Sequence, residues 1–301
     1  MVNGEDVVSL EATDNLARAM DAFVTRVGCL MSAQDNALAP PDFDSFAAFR
    51  YRVRVDRGVF EAVRHVDPVT RQDLVGVDSQ WAAFDRNVRQ LMSRLPCNHV
   101  LLWGARGTGK SSIVKAALNA HCAEGLRLVD VRRSGLLDLA SVVDLLADLP
   151  YTFIVLLDDL AFEDHDPLAR ELKAILEGGV QAMPANVRVV ATANRRHLMP
   201  KRAGDNAWTD DDDLHVRDAA EEKASLADRF GLRLGFPAPT EAWYLAVVDA
   251  LAQRDRRAGD PAEVRAAAAA WGRSHGRSGR SARQFVDDWI GRHALDGAAE
   301  E

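Results

Sequence analysis

Gly104-Ala105-Arg106-Gly107-Thr108-Gly109-Lys110-Ser111 fits the phosphate-cradling pattern G-x-x-x-x-G-K-[ST] without a mismatch. Glycines let a backbone turn its N–H groups onto a phosphate, a lysine reaches the β and γ oxygens, and a serine hydroxyl suits a Mg²⁺ ligand. The pattern predicts binding of ATP or GTP through residues Gly104 to Ser112, with Lys110 and Ser111 placing phosphate and metal. A glycine-rich turn alone is the competing reading, and the flanks argue against it. His99 to Trp103 is an apolar run of strand length, and Ser112 to Leu118 has helix-forming composition with an apolar face.

Phosphoryl transfer also needs acids and cations. Phe153-Ile154-Val155-Leu156-Leu157-Asp158-Asp159 is an apolar strand ending in two carboxylates. Asp158 is expected to hold Mg²⁺ through water, and Asp159 to polarise the attacking water as general base. Helix capping is the structural alternative for such a pair. Val189-Val190-Ala191-Thr192-Ala193-Asn194 ends a further strand in an amide, which can hold water or read a γ-phosphate without adding charge. Arg229 precedes the last strand and Arg283 opens the final helix; a guanidinium answers charge developing on phosphate with paired donors. For Arg229 the structural alternative is an ion pair with Asp228 or Glu222, and Arg195 and Arg196 divide evenly between structural and functional readings. Arg273, Arg277 and Arg280 are taken as surface charges.

The elements that must position these groups are legible as apolar runs. Five strand-like segments, His99 to Trp103, Leu126 to Val131, Thr152 to Leu157, Val187 to Thr192 and Leu232 to Phe236, recur at α/β spacing. Their near-continuous apolar character suits a parallel sheet covered on both faces. After Pro237 the sequence turns helical, notably Glu263 to Trp271 and Ser281 to His293, which reads as a separate lid. Before the first of these strands, Phe49 to Val55 alternates with arginines on one face, read as a solvated strand edge or a nucleic-acid contact. From Thr13 to Gln34, Leu16, Met20, Phe23, Val27, Leu30 and Met31 recur at helical steps, an apolar stripe for this protein's own core or for a partner. An acidic patch, Asp210 to Asp213 within a stretch running to Glu222, reads as a surface loop.

Composition narrows the classes. At 301 residues and 48% hydrophobic, the chain can bury a full α/β core and carry smaller domains. A net charge of −8 gives no global attraction to nucleic acid. Cys29, Cys97 and Cys122 show neither disulfide nor zinc spacing and read as free thiols. The acidic start lacks a cationic leader, and no apolar run approaches membrane-spanning length. A soluble, cytoplasmic protein is expected.

The order of P-loop, Asp-Asp, Asn, Asp-Arg-Phe and lid arginine resembles AAA+ ATPases. The phrases LLWGARGTGKSS, DDLAFE, LKAILEGG, ATANRRHL, EEKASLADRFGL and GRSARQF resemble, more closely, a bacterial AAA+ family known only as a domain of unknown function, number eight-one-five, over roughly Leu74 to Trp289. The resemblance implies an α/β AAA+ P-loop NTPase core with a five-stranded parallel sheet, the P-loop strand central, a C-terminal helical lid and an N-terminal helical or mixed extension. The expected boundaries are 1–70 for the extension, 71–236 for the core and 237–301 for the lid. It further implies that Lys110 and Ser111 are the Walker A pair, Asp158 and Asp159 Walker B, Asn194 sensor 1, Arg229 an arginine finger reaching a neighbouring subunit, and Arg283 sensor 2. Val75 and Gly76, within Leu74-Val75-Gly76-Val77-Asp78, occupy the adenine-contacting place, which favours ATP over GTP.

These expectations describe an oligomeric Mg·ATP-hydrolysing enzyme acting on an unidentified protein client. A DNA-associated switch resembling helicase loaders and a weakly hydrolysing ATP-gated scaffold are the alternatives. Most AAA+ members carry Glu where this chain has Asp159, one methylene shorter, and Glu163 is the reserve acid.

Overall fold

The computed structural model describes residues 41–54, 57–162, 166–178, 182–194 and 224–299. The stripe from Thr13 to Gln34, the acidic stretch from Asp210 to Glu222, Cys29, Glu163, Arg195 and Arg196 lie outside them. Each apolar run read as a strand is one: β3 (Val100–Gly104), β4 (Leu126–Val131), β5 (Thr152–Leu160), β6 (Val187–Ala193) and β7 (Leu232–Phe236). Two more strands precede them, β1 (Ala48–Arg54) and β2 (Arg57–Ala62).

The sheet order is β2-β1-β4-β5-β6-β3-β7. β2 pairs antiparallel with β1 and every other neighbouring pair is parallel. The expected five strands are thus seven, because the β1–β2 hairpin, from the stretch assigned to the N-terminal extension, adds to the sheet alongside β4. β1 is consequently not an edge. Its arginines meet acids on neighbouring strands: Arg50 lies 3.4 Å from Asp130, Arg52 lies 3.2 Å from Glu61, and Arg54 also pairs with Glu61. Phe49 and Tyr51, on the alternate face, are buried in the core. Nor is the P-loop strand central: β3 lies between β6 and β7, second from the edge opposite the hairpin.

Alternation along the strands divides the core into two layers. Val100, Leu102, Leu128, Ile154 and Val190 pack with α1 (Asp78–Met92) and α2 (Lys110–His121) through Phe84, Val88, Ile113 and Val114. Leu101, Val129, Phe153, Val155 and Val189 meet α3 (Leu139–Ala147) and α4 (Pro167–Glu177) through Leu139, Val142, Leu146 and Leu172. Each such side chain contributes about 1.5–3 kcal/mol on leaving water, so the central strands are held from both sides. α4 starts where Asp166 accepts a hydrogen bond from the Leu168 N–H at 3.0 Å, with Pro167 in the first turn, and it stops at the left-handed Gly178.

Helices α5 (Glu241–Ala252), α6 (Pro261–His275) and α7 (Gly279–Ala299) form the lid. Tyr244, Val248, Ala268, Ala282 and Phe285 give it a hydrophobic core of its own. Thr240 caps α5 by accepting from the Trp243 N–H at 3.1 Å, which seats Trp243 on the first turn.

Candidate functional site at the P-loop and lid

The apolar β3 strand delivers the P-loop to the C-terminal edge of the sheet. At its end Gly104 (φ +143°) lies against β7; a Cβ there would stand 2.1 Å from the Phe236 carbonyl oxygen. Gly107 (φ +70°) approaches the lid as closely, a Cβ falling 2.7 Å from that of Ser278, and its carbonyl accepts from the Gly279 N–H at 2.7 Å. The phosphate loop therefore touches the first turn of α7. Thr108 Oγ1 donates to the Ala105 carbonyl at 2.8 Å, bracing the loop. Lys110 is buried and its Nζ donates to the carbonyls of Gly104 (3.0 Å) and Ala105 (2.7 Å). Burial lowers its proton affinity below that of an ordinary lysine, and the charges of Asp159 and Asp158 oppose the shift.

The two carboxylates owe their placement to a bulge. Leu157 pairs with Ala191 and Leu160 with Ala193, so Asp158 and Asp159 together stand opposite the single residue Thr192. In an unbroken strand the two side chains would leave on opposite faces. Here Asp159 takes a left-handed backbone (φ +55°), a conformation that Asp tolerates better than most residues, and both acids reach the P-loop end. Asp158 Oδ1 accepts from Ser111 Oγ at 2.6 Å and from Thr192 Oγ1 at 2.7 Å. Thr192 Oγ1 in turn accepts the Asp159 N–H at 2.8 Å. Asp159 Oδ1 accepts from Asn194 Nδ2 at 2.8 Å, while its Oδ2 lies 3.6 Å from the Arg106 guanidinium.

Beside this network a cavity of about 370 Å³ opens between core and lid, large enough for a nucleotide-sized ligand. Gly107 to Ser112 and Asp158 line its phosphate end. Leu74, Val75 and Val77, with Trp243, Val247 and Leu251 of α5, add an apolar slot to the lining. Trp243 Nε1 donates to the Val75 carbonyl at 3.0 Å, and its ring packs on Gly76. Arg280 and Arg283, one turn apart on α7, also line the cavity and make no ion pair among the described residues. Asp67 and Asp73 complete the wall, bound respectively to Lys115 (3.1 Å) and to Arg254 of the lid.

The structure thus brings together Val75, Gly107, Thr108, Gly109, Lys110, Ser111, Ser112, Asp158 and Arg283 on the cavity. Gly104, Ala105, Arg106, Asp159 and Asn194 adjoin it. Arg229 does not reach this cavity: it pairs with Glu177 at the end of α4, not with Asp228, which holds Arg233 at 2.9 Å. Arg280, read from sequence as a surface charge, lines the cavity, whereas Arg277 pairs with Glu241. Thr192 and Trp243 went unread. A threonine inside an apolar run looks like an ordinary strand former, and a lone tryptophan like core. The i, i+3 spacing of Arg280 and Arg283 was the available signal for a shared helix face.

The donor set suits Mg²⁺. Ser111 and Asp158 offer hard oxygens 2.6 Å apart, and Mg²⁺ is commonly held by one or two such protein ligands, with phosphate oxygens and water completing its shell. No group of three or more His, Cys, Asp or Glu able to hold a metal occurs among the described residues.

Comparison with known proteins agrees with the fold. The family model described as "Protein of unknown function (DUF815)" matches residues 44–293. Among solved structures, Aeropyrum pernix ORC1 in complex with DNA matches at TM-score 0.51 and 16% identity, over 77% of this chain and 65% of that one. Aeropyrum pernix ORC2 matches at TM-score 0.49 and 14% identity, over 74% and 62%. A RuvB mutant of Thermotoga maritima matches at TM-score 0.47 and 15% identity, over 74% and 65%. The chain spans less than two thirds of the length of each of these. The ORC1 match, together with the parallel sheet, shows that the chain shares the α/β fold of that structure. No curated protein matches the sequence significantly. Among the described residues no helix is long and apolar enough to cross a membrane.

Proposed function

The chain belongs to the DUF815 family, and we propose that it is a AAA+ ATPase binding Mg·ATP between the P-loop and the lid. The observation that carries this reading is the hydrogen-bonded run Ser111–Asp158–Thr192–Asp159–Asn194, set beside a cavity whose floor is the P-loop. The apolar lining formed by Leu74, Val75, Trp243, Val247 and Leu251 takes a purine, and the absence of an N-K-x-D-like sequence favours adenine.

Each residue then has a task. Backbone N–H groups of Gly107 to Ser111 and the Lys110 ammonium receive the phosphates; Arg283 and Arg280 approach them from the lid. Ser111 and Asp158 would hold Mg²⁺, which would supply neutralisation of the phosphate charge. Asp159 accepts a proton from water as the water oxygen bonds to the γ-phosphorus and the bond to the β–γ bridging oxygen breaks, leaving ADP and phosphate. Asn194 orients Asp159. Arg229, exposed beside Glu177, is the group offered to a neighbouring copy, so the complete site is shared within a homo-oligomer. The client is a protein, with the stretch Thr13 to Gln34 as its recruiting segment.

One observation favours a second reading, an ATP-gated scaffold that hydrolyses slowly. Both Asp159 oxygens already have partners, Asn194 and Arg106, so neither stands open to an attacking water.

Phosphate release from Mg·ATP, measured per protomer across protein concentrations beside Arg229→Ala, tests the proposal. The expected result is a specific activity that climbs with concentration and is lost in the variant. Tight ATP binding with a flat, near-zero rate would instead establish the scaffold.

A further inference from the structure

Resting on the nucleotide reading above, we propose that Arg106 is a γ-phosphate-sensing residue acting within its own protomer, exchanging Asp159 for the terminal phosphate when a triphosphate binds. Arg106 sits inside the phosphate loop, between Ala105, whose carbonyl holds Lys110, and Gly107, which lines the cavity. Any phosphate cradled by that loop lies within a side chain's reach of its guanidinium.

The geometry singles Arg106 out among the cations nearby. Lys110 is buried and tied to two loop carbonyls, and Lys115 is paired with Asp67. Arg229 is held by Glu177. Arg280 and Arg283 come from the opposite, lid side. Arg106 stands 78% exposed, and its ion partner, Asp159, is 3.6 Å away and itself 63% exposed. A pair that long and that wet is screened by water and readily exchanged. A terminal phosphate offers more charge than a carboxylate and accepts two parallel guanidinium hydrogen bonds. A diphosphate lacks that group and leaves the pair in place.

The exchange has a second consequence. The bulge and the left-handed backbone of Asp159 hold its carboxylate toward the loop whether or not Arg106 is bound to it. When Arg106 leaves, one oxygen of Asp159 is released while Asn194 still orients the other. Recognition of the γ-phosphate and readiness of the acid are thereby one event, in cis, separate from whatever Arg229 contributes to a neighbour.

The test measures Mg·ATP and Mg·ADP affinities by calorimetry for the full chain, Arg106→Ala and Arg106→Lys, with single-turnover hydrolysis alongside. Arg106→Ala should keep ADP affinity within about threefold, lose about tenfold or more in ATP-over-ADP preference, and slow single-turnover cleavage on the order of 100-fold, with Arg106→Lys recovering part of both. An unchanged ATP-to-ADP affinity ratio in Arg106→Ala, alongside normal ATP binding by the unaltered chain, overturns the assignment of Arg106 and leaves the ATPase reading standing. Failure of the unaltered chain to bind Mg·ATP removes both.

Discussion

Replacing Thr192 with valine keeps the shape of a buried side chain and deletes one oxygen, so its cost can be worked from two hydrogen bonds. Thr192 Oγ1 donates to Asp158 at 2.7 Å and accepts the Asp159 N–H at 2.8 Å. A hydrogen bond to a charged group contributes about 1.5–3 kcal/mol, and orphaning a buried N–H costs about 1–3 kcal/mol. Both groups lie at the wet end of the strand, so water recovers part of each, and a net loss of about 2 kcal/mol is expected. For a chain of 301 residues that lowers the melting midpoint by about 3 °C. Thr192→Ser keeps the oxygen and loses one methyl, costing about 0.8 kcal/mol. Urea unfolding of the two variants beside the parent, followed by tryptophan fluorescence, reads the difference. Phosphate release from Mg·ATP should fall at least about tenfold in the valine variant, since the acids lose their common tether, and little in the serine variant. Valine and serine variants of equal stability and equal hydrolysis would refute the role of the hydroxyl.

Two further predictions concern backbone space and pH. Gly104→Ala places a methyl 2.1 Å from the Phe236 carbonyl oxygen, so β7 must shift and the P-loop with it; circular-dichroism melting should show a loss of at least about 2 kcal/mol, and calorimetry a loss of ATP binding. His99 accepts the Val189 N–H through Nδ1 at 3.0 Å, and burial, followed by the charge of Arg188, holds it down at about 4 against an ordinary 6.5. Because the unfolded chain takes up the proton first, its contribution is complete above pH 6.5 and is lost as pH falls toward 4, on the order of 3 kcal/mol in all. Urea midpoints measured from pH 7.5 to 4 should show that slope, and His99→Gln should flatten it.

What the sequence disclosed follows from where each signal resides. β3 to β6 were legible because strands buried on both faces are almost continuously apolar, the half-buried edge strand β7 because Leu232, Leu234 and Phe236 alternate along it, and the P-loop because its glycines and lysine are contiguous. The β1–β2 hairpin was visible only as an alternation around Arg50 and Arg52. Its place beside β4 depends on Asp130 and Glu61, which are distant in sequence or on the returning strand. Asp158 and Asp159 were found, but the bulge that turns them to one side is a mismatch in register between two strands, which neither strand carries alone. Arg229 was found without its partner, since Glu177 lies more than fifty residues away. Trp243 stands in the slot because Thr240 sets the start of α5, a relation evident once the helix is seen to begin there.

The contact between Gly107 and Gly279 makes the phosphate loop the fulcrum of a long arm. Helix α7 starts at that hydrogen bond and runs for 21 residues, about 31 Å at 1.5 Å per residue. A tilt of about 10° at the fulcrum, with the arm kept stiff along that length, carries the far end through about 5 Å. Phe285 and Val286 bind the arm to α5 and α6, so the three helices swing together. A displacement too small to notice among phosphate oxygens becomes, at Leu295, about 24 Å along the arm, one of about 4 Å, and that exposed end is where a bound molecule would feel whether the loop is filled.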